Sequence, residues 1–116
     1  MTLLWIDDLR NPYDGWADRY APFPPDEIVW AKNYDEVLTF LQSRGCPDEV
    51  CFDHDLGETG TDERNGLTCA KAIIDYCIEH DLDSPPYNIQ SSNPVGKENI
   101  RSLMDGWHRN YKQYEI

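Results

Sequence analysis

The chain has 116 residues, 40% of them apolar and 12% aromatic, with 22 acidic against 10 basic side chains and a net charge of −12. This length suits one domain, residues 1–116, with a single core, and the apolar content excludes a disordered chain. The negative field excludes a passive grip on bulk nucleic acid or on an anionic membrane, while leaving open a small phosphorylated ligand held through a metal.

In chain order, Leu3-Leu4-Trp5-Ile6 is a short unbroken apolar run that predicts a buried parallel strand ending at Asp7-Asp8. Arg10, Asn11, Pro12, Gly15, Pro22, Pro24 and Pro25 follow, and these breakers allow only a short helix near Trp16–Tyr20. Glu27 to Ala31 gives a second strand. Asn33 caps the helix after it, with Glu36 three residues on, Val37, Leu38 and Leu41 on its buried face, and Gly45-Cys46-Pro47 as its stop.

Val50 to Asp53 is the third strand, and Gly57 to Arg64 is a polar loop. Leu67, Ala70, Ile73, Ile74 and Cys77 recur at helical spacing on the third helix. Tyr87 to Ser91 is the fourth strand, and a final helix from Pro94 to about Tyr111 buries Ile100, Leu103, Met104 and Trp107. The alternation predicts a small doubly wound parallel α/β sheet of about four strands, a truncated three-layer sandwich. Right-handed crossovers set the first and third strands together at its centre and leave one edge open to pairing with a second copy. No run approaches a membrane span, and the N-terminus lacks a basic, cleavable leader. Cys46, Cys51, Cys69 and Cys77 form no C-x-x-C pair and no zinc spacing with His54, His80 or His108, so they read as reduced packing residues of a cytoplasmic protein.

The carboxylates carry the chemistry. Asp7, Asp8, Asp53 and Asp55 all fall at the C-terminal ends of the two central strands, the edge where open α/β sheets bind ligands. Each alone is an ordinary strand-end residue; gathered together they repel unless a cation neutralises them, which points to Mg²⁺ or Mn²⁺. Ser91-Ser92-Asn93-Pro94-Val95-Gly96-Lys97 enters the last helix at the same edge. Pro94 suits the first helical position and Asn93 or Ser92 the cap, and the amides of that helix start suit a phosphate. Gly96 leaves room for a ligand, Lys97 adds charge, and Arg10 adds a planar two-pronged contact from the other flank. His54 is expected to point away from Asp53 and Asp55 by strand alternation. Trp5, Trp30 and Trp107 read as core, and His80 and His108 as surface.

The acidic pair after the first strand, the Asp ending the third and the Ser ending the fourth resemble the receiver domain of response regulators, with Asp53 at the phospho-acceptor position and Ser91 at the switch hydroxyl. The stretches Leu4-Trp5-Ile6-Asp7-Asp8-Leu9-Arg10-Asn11-Pro12, Phe52-Asp53-His54-Asp55-Leu56-Gly57 and Ser91-Ser92-Asn93-Pro94-Val95-Gly96 resemble more closely the cyclic-phosphate processing receiver-like group, common in phages and mobile elements. Two departures stand out. The sequence runs out after its fourth helix, without the fifth-strand lysine of ordinary receivers, and Gln90 stands where the variant group tends to have histidine.

The resemblance implies a metal-dependent phosphoesterase acting on a cyclic or terminal phosphate of a nucleotide or RNA end. Asp7, Asp8, Asp53 and Asp55 would hold the ion, with Asp53 as base or nucleophile. Ser91, Ser92, Asn93, Gly96, Lys97 and Arg10 would hold the phosphate. The alternative is a non-catalytic module that sequesters a phosphorylated ligand or docks on a protein partner. A phosphorylated signalling receiver ranks last, for want of the lysine.

Overall fold

The computed structural model describes residues 1–56 and 65–114, the last two of these in backbone only. The polar loop expected at Gly57 to Arg64 lies outside the described residues. In chain order the elements are β1 (Thr2–Ile6), a 3-10 turn (Pro12–Asp14), α1 (Trp16–Tyr20), β2 (Glu27–Ala31), α2 (Tyr34–Arg44), β3 (Glu49–Phe52), α3 (Gly66–His80), β4 (Tyr87–Ile89) and α4 (Pro94–Tyr114). The strands form one parallel sheet in the order β2-β1-β3-β4. This is the α/β, receiver-like arrangement expected from the sequence, with β1 and β3 at the centre.

Both faces of the sheet are covered, which is why its central strands are apolar at consecutive positions. Leu4, Ile6, Val50, Phe52 and Ile89 face a core built by Val37, Phe40 and Leu41 of α2, Ile73 and Cys77 of α3, and Ile100 and Met104 of α4. Leu3, Trp5 and Cys51 face the other way, onto Ala17 of α1. On α2 it is Phe40, not Leu38, that completes the buried stripe, because residues 37, 40 and 41 follow the 3.6-residue turn more closely. Asn33 accepts Glu36 N at 2.9 Å, and Asn65 with Thr68 forms a capping box at the start of α3.

The outer edge of β4 is only three residues long and follows Pro85-Pro86. The ladder bonds to β3 run through Pro86 O and Gln90 N, which turns Ile89 N to the open side. There the Asn88 side chain accepts it at 3.0 Å, so a short, proline-led edge is blunted further by its own amide. The cysteines are all free; burial pushes the Cys51 and Cys69 thiols up to about 12, as packing residues require. Among the described residues no helix is long and apolar enough to cross a membrane.

Candidate metal and phosphate site

Ladder-type backbone bonds fix three positions at the C-terminal edge of the sheet. Asp7 N donates to Ala31 O at 3.1 Å, Asp53 N to Ile6 O at 2.8 Å, and Gln90 N to Phe52 O at 3.0 Å. One oxygen each from Asp7, Asp8 and Asp53 lies within 4.8 Å of the others. Asp7 is fully buried, Asp53 is 6% exposed, and Asp8 is half-buried. Burial first, then the Asp7 charge, pushes Asp53 up to about 6 against the opposing pull of Arg10.

Asp7 turns the chain behind it. Its Oδ1 accepts Leu9 N and Arg10 N, both at 2.9 Å, an Asx-type turn that brings Arg10 back over the cluster. Arg10 Nη1 then lies 3.1 Å from Asp7 Oδ2 and 3.7 Å from Asp53 Oδ2, with the guanidinium 5.3 Å above the Trp16 ring. The buried Gln90 reaches across β3 from the end of β4. Its Nε2 donates to Ile6 O at 3.1 Å and meets Asp7 Oδ2 at 3.4 Å, while its Oε1 has no partner among the described residues.

Asp55 is not brought into this group. Its exposed carboxylate lies 2.9 Å from His54 Nδ1 and 3.4 Å from Asn93 Nδ2, and the bond to His54 before all else holds it below the usual aspartate range. His54 therefore does not point away from Asp55. β3 stops at Phe52, so strand alternation does not extend to residues 54 and 55.

At the start of α4, Asn93 caps the helix by accepting Gly96 N at 3.0 Å, and Ser91 Oγ accepts Asn93 N at 3.1 Å. That leaves the Ser91 hydroxyl its proton to donate. Ser91 is buried, Ser92 is exposed and Lys97 is half-buried. The room at Gly96 belongs to His54, not to a ligand, since a Cβ there would sit 2.3 Å from the imidazole Cγ.

The profile of the "Cyclic-phosphate processing Receiver domain" matches residues 2–106. The chain belongs to that family. A mouse relative, Lethal(3)malignant brain tumor-like protein 1 (Mus musculus), is 26% identical over 116 residues, and the match spans 94% of this chain but 14% of that protein. Among solved structures, a fusion of yeast Spc42 trimeric coiled-coil amino acids 181–211 superposes with a TM-score of 0.59 at 16% identity, covering 97% of this chain and 80% of that one. That likeness is one of fold. NtrX from Brucella abortus superposes at 0.48 with 16% identity, over 98% of this chain and 28% of that one.

In this receiver-like domain, sequence reasoning missed His54 as the residue joining the end of β3 to the cap of α4. The signal was present in Gly96, a glycine in the first turn of a helix where a side chain from elsewhere needs the space. It also missed that Arg10 contacts the carboxylates themselves.

Proposed function

We propose that this domain hydrolyses a cyclic phosphodiester of a nucleotide or of an RNA end with the help of Mg²⁺ or Mn²⁺. The observation that carries the reading is the convergence of Asp7, Asp8 and Asp53 within 4.8 Å, two of them buried, at the edge where Ser91 and the cap of α4 begin. A hard, all-oxygen donor set suits Mg²⁺ or Mn²⁺ and not a thiophilic metal. The buried, unpaired Oε1 of Gln90 beside Asp7 adds an acceptor that the hydration shell of an ion would satisfy. An ion held there polarises a phosphoryl oxygen and makes a bound water more acidic.

The protein's own groups supply the rest. Asp53 is raised to about 6 in the ion-free chain, and a bound ion would keep it ionised, with its second oxygen left to take a proton from the attacking water. The water oxygen forms the new P–O bond, the ring P–O bond breaks, and the proton passes on to the leaving oxygen. Ser91 O–H donates to a phosphate oxygen, Asn93 holds the α4 start in place, and Arg10 opposes the charge that builds on the phosphate. Lys97 and Ser92 line the outer rim.

A second reading, a module that binds the cyclic phosphate without turning it over, is favoured by Gln90, whose amide cannot titrate near neutrality. The deciding experiment is a turnover assay with Mg²⁺ or Mn²⁺ on 2′,3′- and 3′,5′-cyclic nucleotides, cyclic oligonucleotides and RNA ends bearing a 2′,3′-cyclic phosphate. Metal-dependent turnover lost with chelator and in Asp53→Ala supports the enzyme. Intact compounds bound without turnover support the binder, and the lack of both turnover and binding abandons the cyclic phosphate in favour of a protein partner.

A further inference from the structure

We propose that Arg10 is an exchange cation: it holds the carboxylate cluster when no divalent ion is bound and passes to the ligand's phosphate when one is, coupling the two binding events. The inference rests on the divalent-ion reading above and concerns how that site links its two ligands.

The backbone of Arg10 is pinned. Its N–H donates to Asp7 Oδ1 at 2.9 Å, and its carbonyl accepts Trp5 Nε1 at 2.9 Å. Movement is therefore left to the side chain, which is 28% exposed and lies along the face of Trp16. Among the described residues, Nη1 alone makes both carboxylate contacts, at 3.1 and 3.7 Å, which leaves the other N–H groups of the fork for a second acceptor. The contact with Asp53 is the longer one, so the guanidinium spans the two acids without chelating either. Two of the three carboxylates that a divalent ion would use are thus already in contact with a cation.

A positive charge between two carboxylates weakens the field that a second cation feels, and two cations sharing these oxygens repel each other. Entry of a divalent ion therefore turns Arg10 outward, toward a phosphate seated at Ser91 and the cap of α4. Gln90 Nε2 stays on Asp7 Oδ2 and keeps that carboxylate donor-paired as Arg10 leaves. By reciprocity, a phosphate that draws Arg10 away tightens the binding of the ion by the same factor.

The test is calorimetric titration of Mg²⁺ into the wild-type chain, Arg10→Gln and Arg10→Lys, each with and without inorganic phosphate, with thermal melting to confirm folding. Arg10→Gln should bind Mg²⁺ about tenfold more tightly than wild type, the usual scale of such couplings. Phosphate should tighten Mg²⁺ binding several-fold in wild type and leave it unchanged in Arg10→Gln. Arg10→Lys, which keeps the charge on a single-pronged head, should retain the weaker Mg²⁺ affinity and lose most of the coupling; it carries the test if Arg10→Gln does not fold. Unchanged or weaker Mg²⁺ affinity in Arg10→Gln would overturn the exchange, as would equal coupling in all three proteins. No Mg²⁺ binding to any of them sinks both this inference and the proposed activity, whereas coupling without turnover sinks the activity alone.

Discussion

Two acidic clusters sit at opposite ends of the same sheet, and only one of them has the makings of a site. At the C-terminal edge Asp7, Asp8 and Asp53 crowd within 4.8 Å, and Arg10 is shared between two of them. At the N-terminal edge Asp83 and Asp105 line a cavity of about 420 Å³ with Ser84, Tyr87 and His108. There each carboxylate has its own donor: His108 Nδ1 lies 2.8 Å from Asp83 Oδ1, and Tyr87 O–H donates to Asp105 Oδ1 at 2.7 Å. The chain is acidic throughout, so counting carboxylates does not separate the two ends. What separates them is that two buried acids of one cluster share a cation, while each half-exposed acid of the other has a side-chain partner of its own.

The largest effect that would break this contrast is on turnover. Asp53→Ala should lower the rate on the cyclic-phosphate substrate by about 10³-fold, within the range of a lost general base, while Asp83→Ala leaves it within about twofold. Comparable losses in both would mean that the two edges act together. Next comes Gly66→Ala. A Cβ at Gly66 would lie 2.1 Å from Asp53 O and 2.7 Å from His54 Cα, both backbone atoms that cannot turn aside. Denaturant melts should show a loss of about 3 kcal/mol, the upper range for overpacking. At Gly96→Ala the three nearest atoms all belong to the His54 side chain, so relief takes a swing about the His54 Cα–Cβ bond and no backbone shift, and the cost should be smaller.

Much of this end of the molecule was legible in the sequence. Unbroken apolar runs at Leu3–Ile6 and Val50–Phe52 demanded a sheet covered on both faces, and the crossover rule then brought Asp7, Asp8 and Asp53 to one edge. Side-chain direction just past a strand was not legible. β3 stops at Phe52, one residue short of the expected Asp53, and past that end His54 packs on Gly96 and pairs with Asp55 outside the cluster. The Arg10 pairing depends on Asp7 bending the chain through two backbone amides, a local turn that spacing alone does not reveal. The pairing of Asp83 with His108 joins residues 25 apart through the packing of α4, and no local pattern announces it.

A pH measurement sharpens the contrast further. Asp53 binds its proton more tightly in the folded chain, about 6 against an ordinary 3.8, so its contribution to stability falls as pH rises between those values and is flat above them. The full penalty at pH 8 is about 3 kcal/mol. Asp53→Asn removes it, the Arg10 attraction being already contained in that value, and should leave a gain of about 3 kcal/mol at pH 8 that vanishes below pH 3.8. Added Mg²⁺ should reverse the ranking, since the ion stabilises only the chain that keeps its carboxylate. A loss at pH 8 without Mg²⁺ would mean that the ionised Asp53 carries no such penalty in the folded chain.

The smallest effect lies at the other edge. Burial, then the bond to Asp105, raises the Tyr87 hydroxyl above its ordinary range. Tyr87→Phe removes that bond but keeps the ring, and Asp105 is exposed enough to turn to water, so the expected cost is about 1 kcal/mol. Turnover and Mg²⁺ affinity should not change. This outcome is informative because the Tyr87 ring meets Phe52 edge-on at 6.4 Å, and Phe52 is the residue before Asp53. A shift in Mg²⁺ affinity in Tyr87→Phe would therefore trace a packed route from one acidic cluster to the other through the end of β3. Its absence would leave them as two independent ends of one sheet, one with its charges satisfied locally and the other with its carboxylates crowded around a shared cation.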